Sequence, residues 1–407
     1  MESSALKNIL LQIRKLSFLA MGMSSPNPPV ACVLANPNGE ILSQAHTQTT
    51  GKNHAEREAY ENWSQNVGDH IAIVSLEPCT HFGRTPPCRD LILEARPKEL
   101  WIGWKDPNPL IESGNWDTYK SLGIQAKLNP ILAKVSYPYL FGFIQRIQRK
   151  RPWIWIKSAL TTSFHYAPTD SRQVAISSEA SRPYLQMLRA KFDAVLVGPN
   201  TVSVDEPSLN FRLEESVSAY PAKQMFYEIK DSFFSAGRGL LDDLFQFCSE
   251  EILQEHSSNH KKYQPFRIFC ISENQTLSDS FLRKQKSLNE EYTSQKVIFI
   301  FLGKDANLHP QYAQMAELTE FPIPNFSRRE GSVCLEWLAE LGINTLLCEA
   351  GSFVWEFFHE NLMPGDCILT IQGKIEFESG KVFAGMEAGR EVSEYQVQED
   401  IWRLREI

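Results

Sequence analysis

The chain has 407 residues, more than the size at which one hydrophobic core keeps growing, so its length predicts two domains. With 43% hydrophobic and 22% charged residues, its composition excludes the disordered and collagen-like classes. The formal net charge of −8 argues against a nucleic-acid-binding or anionic-membrane-binding surface, because such surfaces are usually basic.

The opening segment, MESSALKNILLQIRKLSFLAMG, predicts an amphipathic helix. Its charged residues interrupt the apolar ones at helical spacing, which excludes a signal peptide or a membrane span. The eight cysteines do not form the dense framework of a small secreted domain. We therefore expect a cytoplasmic protein that does not associate with membranes.

Strand-like and helical patterns alternate through the first part of the chain. Strands are predicted at 30–35, 72–77 and 99–104, and helices at about 54–65 and 88–95. This alternation is typical of an α/β sheet covered with helices. Because a basic stretch at 146–153 precedes the next strand, we place the boundary of the first domain at residue 150.

The remaining residues, 151–407, predict a second α/β domain. Strands are expected at the five segments 153–160, 193–198, 266–272, 296–303 and 343–351, the last after a helix at about 331–341. Residues 213–264 are polar and only patchily helical, so we interpret them as a surface insertion. His256 and His260 lie in this segment and are expected in a solvated loop.

Four residues of the first domain form a pattern that predicts a catalytic zinc site: His54, Glu56, Cys79 and Cys88. Imidazole and thiolate are ligands that zinc prefers, and a catalytic site uses three of them so that a fourth position stays open for water. Glu56 lies two residues beyond His54, where it can move protons without binding the metal. The pattern matches the H-x-E…P-C arrangement of zinc base deaminases, although eight residues separate the two cysteines instead of two. The alternatives are a closed structural zinc site, two unrelated buried thiols, or a deaminase of nucleic acids.

Several longer motifs extend this pattern: Pro26-Asn27-Pro28-Pro29-Val30, His54-Ala55-Glu56, LEPCTHFGRTPPC at 76–88, and Asp106-Pro107-Asn108-Pro109. With them, essentially the whole chain resembles the bacterial bifunctional riboflavin-biosynthesis deaminase/reductase family. The resemblance implies a cytidine-deaminase-like three-layer α/β/α domain at 1–150, followed by a dihydrofolate-reductase-like α/β domain at 151–407. It also implies a homo-oligomer, either a dimer or a tetramer.

The resemblance further implies two reactions on one small molecule. The first, a hydrolase reaction, is the Zn²⁺-dependent deamination of 2,5-diamino-6-(5-phosphoribosylamino)pyrimidin-4-one. The second, an oxidoreductase reaction, reduces the ribosyl group to ribityl with NADPH. Carried over by position, the deaminase substrate would contact Asn27, His46, Arg84, Asp106 and Asn108.

In the second domain, the resemblance assigns one set of residues to the substrate and one to the cofactor. The substrate would contact Arg189, Leu209, Arg212 and Glu349. NADPH would contact Ala159, Thr201, Asp205 and Gly351, where Gly351 belongs to a turn whose backbone approaches the cofactor phosphates.

The sequence departs from the family pattern at three places in this second site. Thr161-Thr162-Ser163-Phe164 replaces Ser-Leu-Asp-Gly, the run at 173–178 lacks the family's serine and tryptophan, and Ala350 replaces a glycine. A second interpretation therefore stays open, in which the protein is a deaminase whose C-terminal domain serves folding or dimerisation.

Overall fold

The structure is a computed structural model that describes residues 2–63, 69–82, 86–109, 116–170, 172–213, 222–224, 235–293, 295–349 and 351–407. The chain divides into two compact units, Met1–Lys150 and Arg151–Ile407. Among the helices within the described ranges, none is both long and apolar enough to cross a membrane.

The first unit has one mixed sheet and helices on both of its faces. Its helices are α1 (Ser3–Ala20), α2 (Ala55–Glu61), α3 (Cys88–Ala95), α4 (Trp116–Ser121) and α5 (Pro130–Arg149). Its strands are β1 (Ala31–Ala35), β2 (Ile41–His46), β3 (Ile71–Leu76), β4 (Glu99–Trp104) and β5 (Gln125–Leu128). The strand order is β2-β1-β3-β4-β5, with β1 antiparallel to both neighbours and β3, β4 and β5 parallel.

Two hydrophobic clusters cover the two faces of this sheet. Alternate residues of β1 enter different clusters, as expected for a strand buried on both sides. One cluster joins Val33 to Ile9 and Ile13 of α1, and the other joins Cys32 to Ala55 and Ala59 of α2. The predicted amphipathic helix and the three-layer α/β/α arrangement are therefore confirmed.

The second unit is larger and also mixes helices with strands. Its helices are α6 (Arg182–Lys191), α7 (Pro199–Asp205), α8 (Ala236–Phe247), α9 (Glu250–Ser258), α10 (Asp279–Glu291), α11 (Tyr312–Ala316), α12 (Gly331–Glu340) and α13 (Ser352–Phe358). Its strands are β6 (Trp153–Leu160), β7 (His165–Pro168), β8 (Ala194–Val197), β9 (Lys223–Gln224), β10 (Phe266–Ser272), β11 (Val297–Leu302), β12 (Asn325–Phe326), β13 (Thr345–Glu349), β14 (Cys367–Gln372), β15 (Gly380–Val382), β16 (Arg390–Val397) and β17 (Asp400–Glu406).

The main sheet of the second unit has the order β12-β11-β10-β8-β13-β6-β14-β17-β16-β9. The strands from β12 to β14 are parallel, and β17, β16 and β9 follow as antiparallel neighbours. The carboxyl ends of β6, β8 and β13 consequently lie at one edge, where ligands of α/β proteins usually bind. The strands β7 and β15 form a separate antiparallel pair.

Residues 235–264 correct one part of a sequence-based interpretation, since their helices are packed and do not lie only on the surface. Helices α8 and α9 bury their apolar sides, among them Leu240, Leu241, Leu244, Ile252 and Leu253. These residues recur at helical spacing, but the polar residues between them obscured the pattern. Residues 214–221 and 225–234, from the same predicted insertion, lie outside the described residues.

His256 was expected in a solvated loop, and that prediction is wrong as well. Its side chain is fully buried in α9, where Nδ1 donates to the Ile252 carbonyl at 2.8 Å and Nε2 accepts from Lys191 Nζ at 2.7 Å. Tyr263 stacks on the imidazole ring with 4.1 Å between the ring centroids. These contacts join α9 to α6.

The neighbours Leu253 and Gln254 on α9 test whether this helix belongs to the core. Leu253→Ala should lower the free energy of unfolding of the second unit by about 2–5 kcal/mol, because it opens a cavity in a packed region. Gln254→Ala, its exposed neighbour, should change that free energy by less than about 0.5 kcal/mol. Urea unfolding followed by circular dichroism measures both, and equal effects would contradict the packing described above.

Candidate functional site

Two thiols and one imidazole meet at the edge of the sheet in the first unit. His54 immediately precedes α2, Cys79 follows β3, and Cys88 is the first residue of α3. His54 Nδ1 lies 3.6 Å from Cys79 Sγ and 3.5 Å from Cys88 Sγ, and the three donor atoms lie within 4.8 Å of one another. Two soft sulfur donors and one imidazole at this spacing fit a zinc ion.

The surroundings of Cys79 favour the thiolate, which is the form that binds a metal. Hydrogen bonding from Cys88 and from His54 lowers the pKa of the Cys79 thiol well below its usual value, against the opposing effect of burial. Part of this effect comes from the backbone N–H of Cys88, which donates to Cys79 Sγ at 3.4 Å.

Glu56 lies beside this cluster as the second residue of α2 and is only 4% exposed. Burial and, to a smaller extent, the neighbouring Cys79 raise the pKa of its carboxyl group to about 7, against the opposing effect of His54. A carboxyl group that exchanges a proton near neutral pH is suited to general acid–base chemistry.

The segment after β4 contains Asp106 and Asn108 and is attached to the strand that precedes Cys79. The backbone N–H of Asn108 donates to Asp106 Oδ1 at 2.9 Å, and that of Asp106 donates to Glu77 Oε2 at 3.3 Å. Burial, with a smaller contribution from Glu77, raises the pKa of Asp106 to about 6 against the opposing effect of the hydrogen bond from the Asn108 N–H. Glu77 was not predicted as a site residue from the sequence, although its place in the LEPC motif, two residues before Cys79, could have indicated it.

The other residues assigned to the first substrate lie on neighbouring segments. The backbone N–H of Asn27 donates to the Ser24 carbonyl at 3.0 Å, in the loop before β1. His46 is the last residue of β2 and pairs with Ala31, the first residue of β1. Asn27 and His46 therefore both lie near the start of β1. Their contact with a substrate stays a prediction, and Arg84 lies outside the described residues.

A cleft of about 320 Å³ lies at the carboxyl ends of β6, β8 and β13 in the second unit. Five residues assigned to substrate or cofactor line it: Ala159, Thr201, Asp205, Glu349 and Gly351. Arg189, Leu209 and Arg212 are not among the residues that line it.

The wall of the cleft contains one unsatisfied hydroxyl, judged over the described residues, and two closely packed glycines. Ser158 Oγ is a buried hydroxyl on the wall of the cleft and lacks a hydrogen-bond partner within the described part of the chain, so a polar ligand could satisfy it. A Cβ atom on Gly198 would lie 3.0 Å from Phe353 Cδ1, and one on Gly351 would lie 2.9 Å from Tyr166 Cε2. Glycine therefore allows closely packed backbone at two of the strand ends.

Arg189 contributes to the cleft through Glu349. Its Nε and Nη2 atoms donate to the two carboxylate oxygens of Glu349 at 2.6 and 2.9 Å. Burial alone would raise the pKa of Glu349, but Arg189 and Lys157 outweigh burial and lower this pKa to about 2. Lys157 itself lines the cleft and was missed by the sequence analysis, which singled out only Ala159 from the same strand.

Leu209 and Arg212 shape a loop next to α6. Leu209 is buried and has a positive φ of 56°, which is uncommon for a leucine. The backbone N–H of Arg212 donates to Gln186 Oε1 at 2.9 Å, and its guanidinium group donates to Ser208 Oγ and Asn210 Oδ1. The structure thus shows these two residues in intramolecular contacts, and their contact with substrate stays a prediction.

The structure describes two of the three departures from the family pattern, and one of them lines the cleft. Phe164 adopts a positive φ of 63°, a conformation that glycine adopts more easily. Gln173, Val174, Ile176 and Ser177 line the cleft, so the changed segment at 173–178 contributes to its surface. Ala350 lies outside the described residues.

Comparison with known families assigns both units. A model of the cytidine and deoxycytidylate deaminase zinc-binding region matches residues 9–104, and a model of the RibD C-terminal domain matches residues 152–369. The first unit therefore has a cytidine-deaminase-like fold, and the second has the fold of the RibD reductase domain.

The chain is also similar to individual proteins. It is 35% identical over 203 residues to the riboflavin biosynthesis protein RibD of Actinobacillus pleuropneumoniae. This match covers 47% of this chain and 51% of that relative, so it spans about half the length of each. It is 27% identical to RibD of Buchnera aphidicola over 86% of this chain and 82% of that one. A Thermotoga maritima diaminohydroxyphosphoribosylaminopyrimidine deaminase/5-amino-6-(5-phosphoribosylamino)uracil reductase has the same fold, with a TM-score of 0.71, 22% identity and 99% of both chains covered. Since the RibD C-terminal model alone covers more than half of the chain, the chain belongs to the RibD family of riboflavin-biosynthesis proteins.

The Arg189–Glu349 pair predicts a pH-dependent effect of removing the arginine. Arg189→Met should lower the free energy of unfolding by about 3 kcal/mol near pH 7, because it leaves a buried carboxylate without its main partner. The pKa of Glu349 is about 2 in the folded protein and 4.5 ordinarily, so the pair stabilises above pH 4.5 and this stabilisation is lost as the pH falls toward 2. The deficit of the variant should therefore shrink between pH 7 and about pH 3.

Unfolding measured at both pH values tests this, with Arg182→Met as the control. Arg182 is an exposed arginine on the same helix and pairs with Glu179 at the surface. Its replacement should cost at most about 1 kcal/mol at either pH. A deficit of Arg189→Met that is equal at both pH values would contradict the assigned role of Glu349.

Proposed function

We propose that this protein performs two consecutive steps of riboflavin biosynthesis. The first is the hydrolytic deamination of 2,5-diamino-6-(5-phosphoribosylamino)pyrimidin-4-one, and the second is the NADPH-dependent reduction of its ribosyl group to ribityl. The observation that supports this most strongly is the cluster of His54, Cys79 and Cys88 beside the buried Glu56, in a chain that matches both domain models of the family.

In the first unit, His54, Cys79 and Cys88 would hold the zinc ion. Bound zinc lowers the pKa of water and so makes a nucleophile available at neutral pH. Glu56 accepts a proton from the attacking water and delivers it to the departing amine, so that the ring C–NH₂ group becomes a carbonyl and ammonia leaves. The pKa of about 7 suits Glu56 to both transfers.

The phosphoribosylated pyrimidine would be oriented by five residues of the first unit: Asn27, His46, Arg84, Asp106 and Asn108. The support for Asp106 and Asn108 is geometric, because their segment is anchored to Glu77, two residues before Cys79. Arg84 suits the phosphate, since a guanidinium group forms paired, charge-assisted hydrogen bonds with phosphate oxygens.

In the second unit, Ala159, Thr201, Asp205 and Gly351 would contact NADPH, which supplies a hydride when bound. Glu349 would contact the substrate, and Leu209 and Arg212 would border it from the neighbouring loop. Arg189 acts on Glu349, because its guanidinium group already occupies both carboxylate oxygens and keeps them ionised.

A cytoplasmic location belongs to the same proposal, because the ligands Cys79 and Cys88 must stay reduced to bind zinc. The expected homo-oligomer stays a prediction, since a single chain is described.

Glu56→Gln tests the deaminase half. The variant keeps the three zinc ligands and the size of the side chain but loses the group that transfers protons. Zinc content measured by atomic absorption should equal that of the wild type, and ammonia release should fall by a factor on the order of 10²–10⁴. Undiminished ammonia release would contradict the role assigned to Glu56.

The reductase half is tested with the deaminated intermediate and NADPH. The wild type should oxidise NADPH, which is measured as a loss of the cofactor's near-ultraviolet absorbance. Glu56→Gln should oxidise NADPH at the wild-type rate, because the change lies in the other unit. Ammonia release without NADPH oxidation would instead support the interpretation that the second domain serves folding or dimerisation.

A further inference from the structure

Tyr166 of strand β7 lies directly over the glycine that ends the β13 turn. Its ring lines the cleft, and a Cβ atom on Gly351 would come within 2.9 Å of Cε2 and 3.5 Å of Cδ2 of this ring. The space that glycine leaves open above its backbone is therefore filled by an aromatic side chain of the same protein.

A hydrogen bond and strand pairing fix the ring in this position. The Tyr166 hydroxyl donates to Ser352 Oγ at 3.1 Å, at the residue that follows Gly351. The strand that contains Tyr166 is paired with β15 through Ala167 and Pro168, which restrains its backbone. Moving the ring consequently requires breaking one neutral hydrogen bond and rotating the side chain, but not unfolding the strand.

The position of the ring matters because of what the proposed function requires at this turn. A dinucleotide pyrophosphate approaches the backbone of a glycine turn closely, since no Cβ atom stands in its way. The Tyr166 ring and a phosphate group at Gly351 would need the same space. The hydrogen bond from the Tyr166 hydroxyl to Ser352 Oγ holds the ring in this space.

We propose that Tyr166 covers the phosphate-binding part of the cleft and determines its affinity for NADPH, so that the side chain must swing away from Gly351 before the cofactor binds. This inference rests on the proposed reductase function. Judged over the described residues, the cleft has an unsatisfied hydroxyl at Ser158 that is available to a ligand. At the glycine turn, by contrast, the Tyr166 ring closes part of the same cleft.

Titration of the full-length, zinc-loaded protein with NADPH, followed by cofactor fluorescence, tests the proposal. Tyr166→Phe removes only the hydrogen bond to Ser352 and should tighten binding by about two- to tenfold, the range expected for one neutral hydrogen bond. Tyr166→Ala removes the ring as well and should bind at least as tightly as Tyr166→Phe. Stopped-flow measurements should show faster association for both variants.

Tyr312→Phe is the control, because Tyr312 belongs to α11 of the same unit and does not line the cleft. Its affinity for NADPH should equal that of the wild type, and circular dichroism should show that all variants are folded. If the wild type binds NADPH and either Tyr166 variant binds equally or more weakly, the ring does not block the site and the proposal is overturned. If NADPH binds to no variant, both this proposal and the reductase half of the proposed function fail.

Discussion

Parallel strands that end at a common edge determine where the reactive residues of both units lie. In the first unit, Cys79 follows β3 and Asp106 follows the parallel neighbour β4. In the second unit, the ends of β6, β8 and β13 provide Ala159, Gly198 and Glu349. Backbone groups beyond the last hydrogen bonds between the strands can approach a ligand, so binding and catalytic residues are found at this edge.

Burial acts on the two central carboxyl groups with opposite outcomes. Glu56 has no guanidinium partner in the contacts described, and burial raises its pKa to about 7. Glu349 is also buried, but Arg189 and Lys157 outweigh this effect and lower its pKa to about 2. The same residue type is therefore prepared to exchange protons in one unit and to remain a fixed negative charge in the other.

The second cleft combines residues that depart from the family pattern with a buried ion pair and, within the described part of the chain, an unsatisfied hydroxyl. Phe164 stands where the resemblance implies a glycine, and its positive φ of 63° has a conformational cost for a residue with a side chain. Arg189 and Glu349 form a bidentate pair, and Ser158 has an unsatisfied hydroxyl in the wall, as far as the described residues show. Of the altered segments that the structure describes, the one at 173–178 contributes to the surface of the cleft.

The sequence alone predicted the zinc site of the first domain, because His-x-Glu and the two Pro-Cys pairs are local patterns whose chemistry follows from residue type and spacing. For the second domain, the sequence indicated the class through the resemblance of its motifs to a known family. It also determined the alternation of strands and helices, which depends on periodicity. Only the tertiary structure decided that residues 235–264 are packed, since burial depends on contacts such as Lys191 with His256, 65 residues apart. The tertiary structure likewise decided that Glu77 anchors Asp106, that Arg189 pairs with Glu349, and that Tyr166 lies over Gly351. Each of these contacts joins residues distant in the chain, and no local pattern encodes such a distance.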